Sequence, residues 1–226
     1  MKIQNFVVDF IGTFALIFIG AGALAINQAG LLGVALAHGL VIVAFVYAYG
    51  HISGTHINPA MTLGLLVAGE MRFGAAVGYW IVQFAGGIAG ALVLKAVLPM
   101  ETDLGVTILT TVEAGGAFTV IPVQGLFVEI VLTFFLVNTI FNTAVSGKAG
   151  NFAGIAIGLT LVFCILMGGP LTRASLNPAR TLGPAMFAGA EFAQWGNIWL
   201  YFVGPCIGAV LAALLYIGVL KEKDIE

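Results

Sequence analysis

Charge is what this sequence lacks. Asp, Glu, Lys and Arg make up only 8% of the 226 residues, against about 25% in a soluble domain. Residues 10–69 contain none of the four, and neither do 73–94, 130–147, 149–172 or 192–220. Other shortages close off further classes. The two cysteines, Cys164 and Cys206, lie inside apolar runs without ligand spacing, so neither a disulfide framework nor a metal site is expected. The three histidines, His38, His51 and His56, converge with no nucleophile–carboxylate set, which argues against an enzyme. A net charge of −2 offers nucleic acid no basic patch.

What the chain has is apolar surface, 61% of its residues, more than a soluble core of this size could bury. A spanning helix needs about 20 mostly apolar residues. Turn signals divide the long runs into six expected spans, near 5–27, 33–50, 77–97, 122–144, 152–168 and 196–220. Six spans put both termini on one side. If that side is cytoplasmic, Lys2, Arg72, Lys148, Lys221 and Lys223 lie inside and Lys95, Arg173 and Arg180 outside, in the sense of the positive-inside rule. The competing reading of the first segment is a cleavable signal peptide. Asp9 would fall inside its apolar stretch, and the repeat below needs the segment, so it is kept as a span.

The sequence repeats. Asp9-Phe-Ile-Gly-Thr13 resembles Glu129-Ile-Val-Leu-Thr133 at an offset of 120, and Asn58-Pro59-Ala60 recurs as Asn177-Pro178-Ala179 at an offset of 119. Each half carries three spans, an odd number, so the second copy enters the bilayer inverted. Inverted repeats put a binding or conduction site near the midplane, where broken helices meet. The expected architecture is an all-α membrane protein: six transmembrane helices plus two re-entrant half-helices, in repeats near 1–98 and 120–226 joined by loop 99–119, forming one domain over 1–226.

The broken helices can be read directly. Residues 50–57 are too polar and Gly-rich to span, and Asn58-Pro59 then opens an apolar stretch to about Ala68. Residues 168–176 lead likewise into Asn177-Pro178. Asn is a favoured N-cap and Pro suits the first helical position. About 10 helical residues rise roughly 15 Å, half of a roughly 30 Å hydrocarbon core. Two such half-helices from opposite faces would abut N-terminus to N-terminus.

With these motifs, standing as His51-Ile-Ser-Gly-Thr-His-Ile-Asn-Pro-Ala60 and Ser175-Leu-Asn-Pro-Ala-Arg180, the chain resembles the aquaporin (major intrinsic protein) family over essentially its whole length. The resemblance implies a passive channel with one pore per subunit, usually a homotetramer, without cofactor or metal. It implies a central constriction at Asn58, Pro59, Ala60, Asn177, Pro178 and Ala179, where amide donors and two helix dipoles oppose cations and interrupt proton relay. Extended backbone around 55–57 and 173–175 should expose carbonyls to the lumen. His56 and the apolar Leu16, Ile42, Leu136 and Leu161 complete the expected pore lining. Asp9 and Glu129 are then structural braces to the re-entrant loops rather than proton relays. Asp9 is one methylene shorter than the family's usual Glu, which puts its reach to groups such as His56 in question.

Transferred by spacing, the family's filter falls on His38, Ile165, Ala174 and Arg180. That set looks like some plant tonoplast intrinsic proteins, and the resemblance implies water with ammonia as second permeant. The loop between spans three and four holds Glu101, Asp103 and Glu113 but no His to brace Arg180, and Arg173 is an extra cation beside the filter. A glycerol- or urea-type facilitator of small neutral solutes is the nearest alternative. Such proteins usually carry Asp where this chain has Thr181, and Pro with an aliphatic residue where it has Tyr201-Phe202, so these positions lean toward water; Ala174 leaves room for glycerol. A secondary transporter is more distant and would need a coupling carboxylate, for which Asp9 and Glu129 are the candidates. The expected setting is a multi-pass protein of the plasma membrane with both termini cytoplasmic.

Overall fold

The computed structural model describes residues 2–99, 101–112 and 118–221; Glu113 and Lys223 are among the residues outside that range. Six helices cross the apolar layer: Ile3–Ile26, Gly30–Ser53, Phe73–Val97, Pro122–Val145, Gly150–Thr172 and Trp195–Leu220. Two shorter helices, Pro59–Val67 and Pro178–Phe187, follow the second and fifth spans. In lipid every backbone polar group must be satisfied within the protein, which is why the six spans are helical. Burial is arranged for that solvent. Large side chains such as Ile81 (64% exposed) and Phe127 (62% exposed) face outward, while Asp9, Gln83 and Glu129 are wholly buried.

Two spans run further than their composition suggests. The second continues through His51 to Ser53, because Tyr79 donates its hydroxyl to the Ser53 carbonyl and Gly54, at φ 79°, closes the helix in the left-handed conformation. The fifth continues past Pro170 to Thr172. Proline there removes one donor close to the helix end, while Arg173 donates its N–H to Gly169 O. The first, fourth and sixth spans each contain a π turn, at Leu16–Ala21, Phe141–Val145 and Tyr216–Leu220.

The spans pack through small residues, as helices in lipid do where no hydrophobic force joins them. Spans two and five meet at Gly39 and Gly158. A Cβ on either would stand 2.6 Å from the other's carbonyl oxygen. Span three meets the second half-helix as closely: a Cβ on Gly183 would press on the Gly87 carbonyl oxygen, and one on Gly87 would stand 2.8 Å from that of Ala179. Gly158→Leu is therefore expected to abolish the monodisperse peak of detergent-purified protein on gel filtration, whereas Ile81→Ala on the lipid face leaves it intact.

Candidate functional site

The site is built where the two half-helices meet. Asn58 caps the first, its side-chain oxygen accepting from Ala60 N at 2.8 Å; Asn177 caps the second, accepting from Ala179 N at 3.0 Å and Arg180 N at 3.3 Å. Pro59 and Pro178 occupy the first turns. The amide nitrogens then cross over: Asn58 Nδ2 donates to Leu176 O at 2.7 Å and Asn177 Nδ2 to Ile57 O at 2.8 Å. Each amide keeps a second N–H, and both asparagines line the cavity between the halves.

The loops leading into the caps are not the plain extended strands expected from sequence. Thr55 and Ile57 in one, and Ala174 and Leu176 in the other, have positive φ between 44° and 54°. Left-handed backbone at a non-glycine residue costs of order 1–3 kcal/mol and needs surroundings that enforce it. Two buried carboxylates do so. Asp9 accepts from His56 N (3.1 Å) and Ile57 N (2.8 Å), and also from Ser53 Oγ and Gln83 Nε2. Glu129 accepts from Ser175 N (2.9 Å), Leu176 N (2.8 Å) and Thr172 Oγ1 (2.7 Å). The shorter side chain of Asp9 thus does reach its loop. With successive N–H groups tied to a carboxylate, alternating backbone turns the carbonyls the other way.

The cavity itself is narrow, about 50 Å³, room for a few waters. Its walls differ in character. Leu16, Ile42, Leu136 and Leu161 contribute apolar side chains, and residues 54–58 and 174–177 the polar re-entrant loops, with His56 among them. The His56 ring stacks on Tyr79 at 4.3 Å, and its Nδ1 meets Thr62 Oγ1. At one end His38, Ala174 and Arg180 close in. His38 also borders a wider vestibule of about 190 Å³, together with Ile165 and Arg173. Of the four filter positions taken by spacing, three therefore line the narrow cavity and Ile165 lines the mouth beyond it.

His38 Nδ1 lies 2.9 Å from Val34 O, an atom that only accepts, so Nδ1 carries the proton and Nε2 of the neutral ring presents a lone pair. Arg180 is 1% exposed and donates Nη1 to Gly105 O at 2.7 Å. Among the described residues, Arg180 Nε and Nη2 and His38 Nε2 have no protein partner. One acceptor atom and two donor nitrogens are thus left unsatisfied at the narrow end.

The loop after span three braces the filter with backbone, a support that carries no mark in the sequence. Asp103 Oδ1 accepts from Gly105 N and its Oδ2 pairs with Arg173 Nη1 at 2.5 Å, while Arg173 also reaches Val106 O. Ser53, Thr172, Tyr79 and Tyr201 were missed as well. Ser53 and Thr172 touch the two acids, and Tyr79 and Tyr201 donate to the Ser53 and Thr172 carbonyls. The repeat offset of 119 links Ser53 with Thr172 and would have found them.

Residues 1–216 match the family described as Major intrinsic protein. The chain is 39% identical over 84% of its length to "Probable aquaporin TIP3-2" of Arabidopsis thaliana, covering 68% of that protein. It is 38% identical to "Glycerol uptake facilitator protein-like 6" of Lactiplantibacillus plantarum, over 93% of this chain and 95% of the other. Its fold is similar to the X-ray structure of the aquaglyceroporin from Plasmodium falciparum, with a TM-score of 0.84, 22% identity and 98% of each chain covered.

Removing an acceptor from either brace should loosen its loop. Glu129→Gln turns an amide donor toward N–H groups, and a buried donor left unpaired costs about 1–3 kcal/mol. A lower melting temperature in detergent and slower osmotic shrinkage of proteoliposomes are expected, with Asp9→Asn behaving alike. Unchanged melting and flux in both variants would contradict the bracing role.

Proposed function

The chain belongs to the major intrinsic protein family of membrane channels, and from that premise we propose that it is a facilitator for small neutral solutes of the glycerol and urea type that passes water as well. Members of the family are passive channels, not catalysts, and the chain is a multi-pass integral membrane protein. The observation that carries the solute reading is the cavity's mixed lining of apolar side chains and polar re-entrant loops. A polyol can lay its C–H edge along Leu16, Ile42, Leu136 and Leu161 while its hydroxyls exchange hydrogen bonds with the loop carbonyls and the Asn58 and Asn177 amides. Ala174 adds only a methyl group to the narrow end. Similarity to the glycerol uptake facilitator-like protein along nearly the whole of both chains supports this reading over the water preference drawn from Thr181 and Tyr201-Phe202.

In this proposal His38, Ala174 and Arg180 select by size and polarity, with Ile165 shaping the approach. The central pairs Asn58-Pro59-Ala60 and Asn177-Pro178-Ala179 hold the passing molecule by its polar side. Two half-helix N-termini, each carrying roughly half a positive charge, combine with Arg180 to repel cations. The domain is single, its halves 1–98 and 120–226 inverted about the membrane plane and joined by 99–119. A homotetramer in the plasma membrane, with both termini cytoplasmic, completes the assignment. A second reading, water with ammonia, is favoured by one observation: the His38 Nε2 lone pair beside the free Arg180 donors suits a molecule with three N–H bonds and one lone pair.

Stopped-flow light scattering on proteoliposomes separates the two. The solute reading expects glycerol and urea entry well above that of empty liposomes, alongside fast osmotic shrinkage. Fast shrinkage with background glycerol and urea entry contradicts it. In that case faster internal alkalinisation after an ammonium jump, read with a pH dye, would select the ammonia reading.

A further inference from the structure

The π turn Leu16–Ala21 in the first span touches both sides of the filter. A Cβ added at Gly20 would stand 2.5 Å from His38 Cδ2, 2.7 Å from Nε2 and 2.8 Å from Cγ. These are ring atoms of a buried side chain, not the tip of a flexible one. The next residue, Ala21, presses its carbonyl oxygen against the place where a Cβ on Gly105 would be. Gly105 is the residue whose own carbonyl accepts from Arg180 Nη1. One turn of the first span therefore seats the imidazole through Gly20 and buttresses the guanidinium support through Ala21. Leu16, at the start of the same turn, lies on the apolar wall of the pore. Single π turns in α-helices occur frequently at functional sites.

We propose that Gly20 is the positioning residue that sets the filter aperture: lacking a side chain, it leaves the recess that holds the His38 ring back from the passage. The inference rests on the reading of this cavity as a path for small neutral solutes and names a specificity determinant for it. The ring is fixed at its other end by Nδ1 donating to Val34 O, so it cannot simply back away along its own helix. Carbon atoms pack at about 3.5–4.0 Å, so a methyl group at position 20 must displace the ring by about 1 Å or more. The first span blocks one direction, and His38 already borders both the pore cavity and the vestibule. The displaced ring moves into the passage.

The test compares wild type, Gly20→Ala, His38→Ala and the double variant in proteoliposomes, measuring glycerol entry and osmotic water flow on the same vesicles. Gly20→Ala is expected to lower the glycerol-to-water permeability ratio about ten-fold, the scale of discrimination for one methylene. In the His38→Ala background the same substitution should leave the ratio unchanged, because the ring it displaces is gone. An unaltered ratio in Gly20→Ala, or an equal loss with and without the ring, overturns the proposal. Should Gly20→Ala alone fail to assemble, recovery of folded, conducting protein in the double variant supports the clash, and continued failure overturns it. Wild type that passes water but no glycerol contradicts the solute reading itself. The aperture claim is then judged on water, where Gly20→Ala must slow flow and His38→Ala restore it.

Discussion

The rest of the structure depends on two buried carboxylates accepting backbone N–H groups. A re-entrant loop at membrane depth has polar groups on every residue and no lipid that will bond them. Asp9 and Glu129 take the donors on one side of each loop, so the acceptors fall on the other side, where the cavity is. Left-handed backbone at Thr55, Ile57, Ala174 and Leu176 follows from that division and would relax without it. The half-helices follow in turn. Each asparagine is delivered to its cap by the preceding loop, and each spends one amide N–H on the opposite loop, so neither half is complete alone.

At the narrow end the same economy recurs in side chains. Arg180 is buried with one nitrogen bound by the Gly105 carbonyl, which fixes the fork while leaving Nε and Nη2 without partners among the described residues. The supporting loop is itself held by Asp103, whose two oxygens take the Gly105 N–H and the Arg173 guanidinium. An acid thus positions a carbonyl, which positions a cation. The charge of Arg173, which alone would crowd Arg180, is paired at the vestibule.

Much of this was legible in the sequence because it is written in composition and spacing. The six spans follow from missing charge, and the two half-helices from Asn-Pro pairs at one offset. Helix ends were less legible: carriage of span two to Ser53 depends on Tyr79, contributed by span three, and carriage of span five past Pro170 on a hydrogen bond that proline's position spares. The left-handed residues were invisible because Thr, Ile, Ala and Leu carry no mark of positive φ; only their acids, about 46 residues distant along the chain, impose it. Gly20 was hidden for a different reason. In a chain with 31 glycines a single one carries no signal until its neighbour across the helix gap is known.

The loop donors are tied to carboxylates although water-sized space lies close by. Amide hydrogen exchange of the protein in nanodiscs tests this most directly. The His56, Ile57, Ser175 and Leu176 amides are expected to be protected as strongly as those in the middle of the spans. Fast exchange at these four amides, with the spans protected, would mean that the loops are held some other way and would contradict it.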